Sequence, residues 1–67
     1  MEMAAELTKR QLEVARLAAK GWANPEIAAK LNLSESAINQ HIQTAKRKLG
    51  VSRKSQIAAA LHEEGLL

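Results

Sequence analysis

Apolar residues recur three or four positions apart through most of this 67-residue chain, the spacing that places side chains on one face of a helix. Strict alternation of apolar and polar residues, which is typical of a strand, never extends beyond a few positions. Ala, Leu, Lys, Glu and Gln dominate, as they do in helices. The pattern predicts an all-α fold, with a three-helical core plus a fourth C-terminal helix. The predicted helices cover about residues 8–20, 24–32, 35–49 and 53–63.

Capping residues mark where each of the four helices begins. Thr8 and Gln11 have the spacing of a capping box, in which the side chain of each residue accepts a hydrogen bond from the backbone N–H of the other. Asn24 before Pro25 offers a capping side chain and then a proline at the first helical position, where its missing N–H costs nothing. Ser52 is expected to cap the fourth helix.

The second and third predicted helices are joined by a very short turn. Only Asn32 and Leu33 separate the second helix from Ser34, the expected cap of the third. Asn tolerates the left-handed backbone that such a tight exit needs. Ala28 is small where the helices must approach closely, and Ile38 is placed to anchor the third helix beneath the second. Two helices joined this tightly are expected to cross steeply, as in a helix-turn-helix unit.

Composition argues against catalysis and against metal or cofactor binding. Apolar residues make up 46% of the chain, but many are Ala and the only aromatic residue is Trp22, so the core must be thin. There is no Cys, and the two histidines, His41 and His62, are too isolated in sequence to suggest a metal site. Glycine-rich phosphate loops are absent, and so small a domain has little room for a walled pocket. We expect no enzyme activity, no cofactor and no metal.

The charge is unevenly distributed. The net charge is +3, but residues 1–37 hold five basic and five acidic residues, whereas residues 38–62 hold five basic and no acidic ones. A polyanion is therefore expected to bind the second half of the chain. No apolar run approaches the ~20 residues that span a bilayer, and the first residues carry acid where a signal peptide would carry base. We expect a soluble, cytoplasmic protein without membrane contact.

The outer face of the predicted third helix, about residues 35–49, is polar and nearly uncharged until its last turn. A DNA major groove about 12 Å wide admits one α-helix, whose Asn and Gln side chains can bind adenine bidentately and whose Arg can bind guanine. This helix is therefore predicted to read bases of double-stranded DNA. The predicted base-reading residues are Ser36, Asn39, Gln40, Gln43 and Arg47.

A second group of residues is expected to bind the DNA backbone. Basic side chains at the end of the third helix and the start of the fourth would neutralise flanking phosphates, and hydroxyl and N–H groups nearby would bind phosphate oxygens. These residues are Ser34, Thr44, Lys46, Lys48, Arg53, Lys54 and Ser55.

The sequence also resembles the LuxR/GerE-type helix-turn-helix domain, over about residues 7–67. The matching residues are Leu7-Thr8-Lys9-Arg10, Glu13-Val14, Gly21, Asn24, Glu26-Ile27-Ala28, Leu31, Leu33-Ser34, Ile38, His41, Lys48-Leu49-Gly50-Val51 and Ser55-Gln56. The resemblance implies a four-helix DNA-binding domain of a bacterial transcription regulator, in which the third helix enters the major groove and the fourth contributes to dimerisation. It implies residues 7–67 as the domain, and we expect residues 1–6 to fray.

The resemblance also bears on individual positions. Asn39, Gln40 and Gln43 match base-reading positions of the family, and Ala37 matches or neighbours a backbone-contacting one, as do Lys48 and Lys54. The chain departs from the family in three places: Gln11 stands where Glu is usual, Ala37 where Thr is usual, and Asn39 where Lys is frequent.

Other partners and functions remain open at this point. Ala58, Ala59 and His62 on the outer side of the fourth helix could let a second copy approach, but Ala is also simply a good helix former. RNA polymerase is a further partner that such a regulator could contact. Alternatives are a promoter-reading region like that of a sigma factor, or a helical protein-interaction module. Trp22 could cover the edge of the core or contact a partner.

Overall fold

The computed structural model describes residues 7–67, and all regular structure in this range is helical. The all-α prediction is confirmed, with four α-helices in the predicted order. The expected fraying of residues 1–6 lies outside the described residues. The helices are α1 (Lys9–Ala19), α2 (Asn24–Leu31), α3 (Glu35–Leu49) and α4 (Ile57–Glu63), with a short 3₁₀ turn (Lys54–Gln56) directly before α4.

The capping box at the start of α1 is present as predicted. The Gln11 N–H donates to Thr8 Oγ1 at 3.1 Å, and the Thr8 N–H donates to Gln11 Oε1 at 3.0 Å. The pair satisfies a backbone N–H that has no partner within the helix and also fixes the direction from which the chain enters α1.

The turn between α2 and α3 also has the predicted conformation. Asn32 has a left-handed backbone with φ 57°, and the Leu33 N–H donates to the Ala28 carbonyl at 2.9 Å, which closes the end of α2. Ser34 then caps α3, because its Oγ accepts from the Ala37 N–H at 3.0 Å. The two helices are therefore linked by the tight helix-turn-helix connection expected from the sequence.

The start of α2 differs from the prediction. Asn24 is the first helical residue and not the cap, and Ala23 occupies the cap position. Glu26 Oε1 accepts from the Ala23 N–H at 2.8 Å, which fixes Ala23 as the cap, one residue earlier than expected. Pro25 remains in the first turn, where its missing N–H is not needed.

The beginning of the last helix also needs correction. Instead of one helix from Arg53, a 3₁₀ turn precedes α4, and Ser52 does not cap it by its side chain. Gln56 turns back, and its Oε1 accepts from the N–H groups of both Ser52 and Arg53 at 3.0 Å. A side-chain amide thus takes the place of the hydroxyl cap that the sequence suggested.

The core is small and aliphatic, as the composition predicted. α3 packs against α1 and α2, and α4 closes the core against α1 and α3. Among the described residues no polar or charged side chain is buried. The C-terminal tail returns to α1, where the Leu66 carbonyl accepts from Arg16 Nε at 2.9 Å. The buried residues are Val14, Ala15, Ala18, Ile27, Ala28, Ile38, Ile42, Ala45, Ile57 and Leu61.

Candidate nucleic-acid interface

α3 is the longest helix of the described chain, and its outer face is polar and exposed. The face opposite is anchored in the core by Ile38, Ile42 and Ala45. Fifteen residues at 1.5 Å each make a helix about 22 Å long. The five predicted base-reading residues all lie exposed on this helix: Ser36, Asn39, Gln40, Gln43 and Arg47.

Basic residues collect at the C-terminal end of α3 and just beyond it. Lys46, Arg47 and Lys48 form the last turn, where positive charge is favourable beside the carbonyl end of the helix dipole. Gly50, with φ 74°, ends the helix and redirects the chain. Arg53 is exposed in the segment that follows. The cations therefore flank the amide-rich face at one end and leave its middle uncharged.

The other predicted backbone contacts differ in accessibility. Ser34 and Ser55 are exposed, whereas Thr44 and Ala37 are only partly exposed. The Ala37 N–H already donates to Ser34 Oγ, so this residue can offer a phosphate only its methyl group as a contact. The Ser34 hydroxyl keeps its own proton for a further acceptor.

Lys54 holds an internal position that the sequence did not suggest. Its Nζ donates to Asn24 Oδ1 at 2.9 Å and lies 3.4 Å from the Trp22 carbonyl oxygen. The 3₁₀ turn before α4 is thereby connected to the start of α2, thirty residues earlier in the chain. The only sequence signal was Asn24 itself, whose side chain is available for this bond because Asn24 is not the cap of α2.

Lys48 has a comparable connection to the start of α1. Its Nζ lies 3.3 Å from Gln11 Oε1, the same oxygen that accepts from the Thr8 N–H. Gln11 therefore joins the beginning of α1 to the end of α3 as a neutral hydrogen-bond acceptor.

The candidate dimer face on α4 is only partly open. Ala59 and His62 are exposed, and Ala58 is half-buried. On α3, His41 is half-buried at the edge of the buried face, and Trp22 is half-buried in the loop before α2, with Lys30 Nζ 5.7 Å from its ring centroid. Within residues 7–67 no group of His, Asp and Glu side chains is arranged to hold a metal ion, and no helix in this range is long and apolar enough to cross a membrane.

A family comparison agrees with this geometry. Residues 5–61 match the family described as "Bacterial regulatory proteins, luxR family". The chain belongs to the luxR family. It is a DNA-binding helix-turn-helix domain of the kind found in transcription regulators and not a catalytic domain. The resemblance inferred from the motifs is confirmed over most of the chain.

Several bacterial regulatory proteins are similar to this chain over most of its length. The spore germination protein GerE of Bacillus subtilis is 41% identical over 61 residues, which cover 91% of this chain and 82% of GerE. The nitrate/nitrite response regulator protein NarP of Escherichia coli is 42% identical over 55 residues, or 82% of this chain and 25% of NarP. The probable transcriptional regulatory protein SgaR of Hyphomicrobium methylovorum is 39% identical over 56 residues, or 84% of this chain and 26% of SgaR. The chain thus spans most of GerE but only about a quarter of the two larger regulators.

Proposed function

We propose that this luxR-family domain, over residues 7–67, binds double-stranded DNA sequence-specifically and controls transcription by inserting α3 into the major groove. The observation that carries this proposal is the exposed amide face of α3, seated on buried Ile38, Ile42 and Ala45 and flanked by cations at one end. Amide side chains read base edges, and lysine and arginine side chains neutralise phosphates.

The proposed contacts fall into two classes. Ser36, Asn39, Gln40, Gln43 and Arg47 meet base edges, because they share the exposed side of one helix. The flanking residues contact the sugar-phosphate backbone and so position the domain on the duplex. They contribute hydroxyl groups, cations and, at one position, a methyl contact. These are Ser34, Ala37, Thr44, Lys46, Lys48, Arg53, Lys54 and Ser55.

A salt titration tests the electrostatic part of this proposal. If about five phosphates are neutralised per protomer, the logarithm of the affinity should fall against the logarithm of the salt concentration with a slope near −4 to −5. Fluorescence anisotropy with a labelled random duplex measures this slope. A flat salt response would contradict backbone binding and would favour the helical protein-interaction alternative.

Replacement of Gln43 tests the base-reading part. Selection of bound oligonucleotides from a random pool first defines the preferred site. Gln43→Ala should then lose about 1–3 kcal/mol of discrimination at one base pair, while Arg53→Gln should weaken binding to all sequences alike and reduce the salt slope by about 1. Glu63→Ala, at an exposed residue of α4, serves as the control. Equal losses on selected and random DNA for both test variants would refute the division of roles.

Dimerisation is a finer part of the same proposal. Two copies meeting through Ala58, Ala59 and His62 on α4 would bind an inverted repeat, with their α3 helices about 34 Å apart, one turn of the duplex. The selected oligonucleotides report this directly, because a dimer selects a palindrome and a monomer selects a single half-site. We further propose a cytoplasmic location and a contact with RNA polymerase, as suits a transcription regulator.

A further inference from the structure

A groove of about 190 Å³ runs between α1 and α2 and contains no residue of α3. Its apolar part is formed by the half-buried side chains of Leu17 and Leu31. Its polar edges carry three exposed cations, Arg16, Lys20 and Lys30, and one carboxylate, that of Glu13. The groove therefore combines an apolar centre with a positively charged border.

The acidic residues near this groove already have partners. Glu13 Oε1 lies 3.2 Å from a guanidinium nitrogen of Arg10, which is outside the groove. Glu26, in the adjacent depression, accepts from the Ala23 N–H. The groove itself is lined by three cations and one carboxylate, so the charge it offers to a partner is net positive.

The aromatic residue of the chain lies next to the same surface. A second depression, which shares Lys20 with the groove, is lined by Trp22 together with Gly21 and Glu26. Lys30, a lining residue of the groove, places its Nζ 5.7 Å from the Trp22 ring centroid. The two depressions form one surface on the α1 and α2 side of the domain, with an indole ring at its edge.

The concentration of charge here results from folding. Residues 1–37 carry equal numbers of basic and acidic residues and look neutral in sequence. Of the five bases in that segment, three line the groove, whereas only one acidic residue does, namely Glu13. Because the base-reading face belongs to α3, a domain bound to DNA through α3 would still present this groove.

We propose that the groove docks an acidic helical segment of a partner protein that carries a leucine-like side chain. The apolar side chain would cover Leu17 and Leu31, and flanking carboxylates would lie among Arg16, Lys20 and Lys30. Exposed ion pairs contribute little affinity each but accelerate encounter and select the sign of the partner's charge. The interaction is therefore transient and weakened by salt, and it does not depend on the DNA-binding proposal.

A synthetic peptide tests this interaction. The probe is a helical peptide with two Leu residues four positions apart and Glu on either side of them, and the matched control peptide has Gln in place of each Glu. Labelled-peptide anisotropy gives the affinity, and Trp22 emission reports binding at this surface, since it is the only aromatic residue. The probe should bind saturably and shift Trp22 emission, and the Gln peptide should bind about tenfold more weakly.

A matched pair of charge reversals locates the site. Lys20→Glu with Lys30→Glu should weaken peptide binding about tenfold or more. Lys9→Glu with Arg53→Glu makes the same change in net charge at exposed residues outside the groove and should change the affinity less than about twofold. Circular dichroism checks that both variants remain folded, and the peptide should still bind protein saturated with duplex DNA.

Four results would overturn the proposal. Equal losses in the two double variants would show attraction to a basic protein in general. Displacement of the peptide by DNA would put it on the α3 face. A reduced DNA salt slope in the Lys20→Glu, Lys30→Glu variant would make the groove a nucleic-acid surface. Absence of saturable binding to the unmodified domain would also refute it.

Discussion

The hydrogen bond between Lys54 and Asn24 makes a prediction that separates structural from DNA-contacting lysines. Lys54→Met removes the ammonium group, which could act both inside the fold and on a phosphate. Asn24→Ala removes one internal acceptor, 2.9 Å from Lys54 Nζ, and leaves the lysine and the Trp22 carbonyl in place. A comparison of the two single variants and the double variant therefore shows which of these roles the lysine performs.

The expected loss of stability depends on how deeply Lys54 and Asn24 are buried. A hydrogen bond to a charged group contributes about 1.5–3 kcal/mol when it is buried. Both side chains are half-buried here, so solvent screening reduces the expected contribution to about 1 kcal/mol. For a domain of this size, that lowers the melting temperature by about 4–8 °C. The double variant should lose little more than Lys54→Met alone, because that substitution already removes the bond to Asn24 together with the longer contact to the Trp22 carbonyl.

Thermal unfolding and DNA titration are the two assays. If Lys54 also neutralises a phosphate, the salt slope should fall by about 0.9 in Lys54→Met and stay unchanged in Asn24→Ala. Arg53→Met, at an exposed neighbour, is the control for loss of charge without loss of this bond. Additive destabilisation by the two substitutions, or unchanged melting temperatures, would show that the bond does not stabilise the domain.

Other predictions concern the core and the turn. Ile57→Ala removes a fully buried side chain at a cost of about 2–5 kcal/mol. The free energy of unfolding of the whole domain is expected to be only about 3–10 kcal/mol, so chemical denaturation should show that this variant loses a large part of it. A loss below about 1 kcal/mol would contradict the packing of α4 on the core. Asn32→Gly should be nearly neutral, whereas Asn32→Val should destabilise by about 1–2 kcal/mol because φ is 57°. Equal melting temperatures for these two variants would contradict the left-handed turn.

The local signals predicted most of the helix boundaries because each depends on residues close in sequence. The capping box of Thr8 and Gln11, the Ser34 cap and the left-handed turn at Asn32 all involve groups within a few positions of one another. Asn24 was misassigned because Glu26 binds the Ala23 N–H, and this bond makes Ala23 the cap and Asn24 the first helical residue. Residue type alone does not decide between these two caps.

The candidate interface was predictable to a similar extent. The periodicity of α3 assigns Ile38 and Ile42 to one side and Gln40 and Gln43 to the other, and the observed burial agrees. The partners of the lysines were not predictable, because Lys54 meets Asn24 across thirty intervening positions. Their roles at DNA remain predictions that the titrations above test.

By itself, the sequence determined the helical class, the caps at Thr8 and Ser34, the exposed amide face of α3 and the family. These properties follow from spacing and from local backbone chemistry, which act over three or four residues. Only the tertiary structure decided that Lys54 joins the start of α2 and that Arg16, Lys20 and Lys30 line one groove. Such pairings depend on how α1, α2 and the 3₁₀ turn pack around the buried aliphatic side chains, and that packing brings together residues that no local pattern connects.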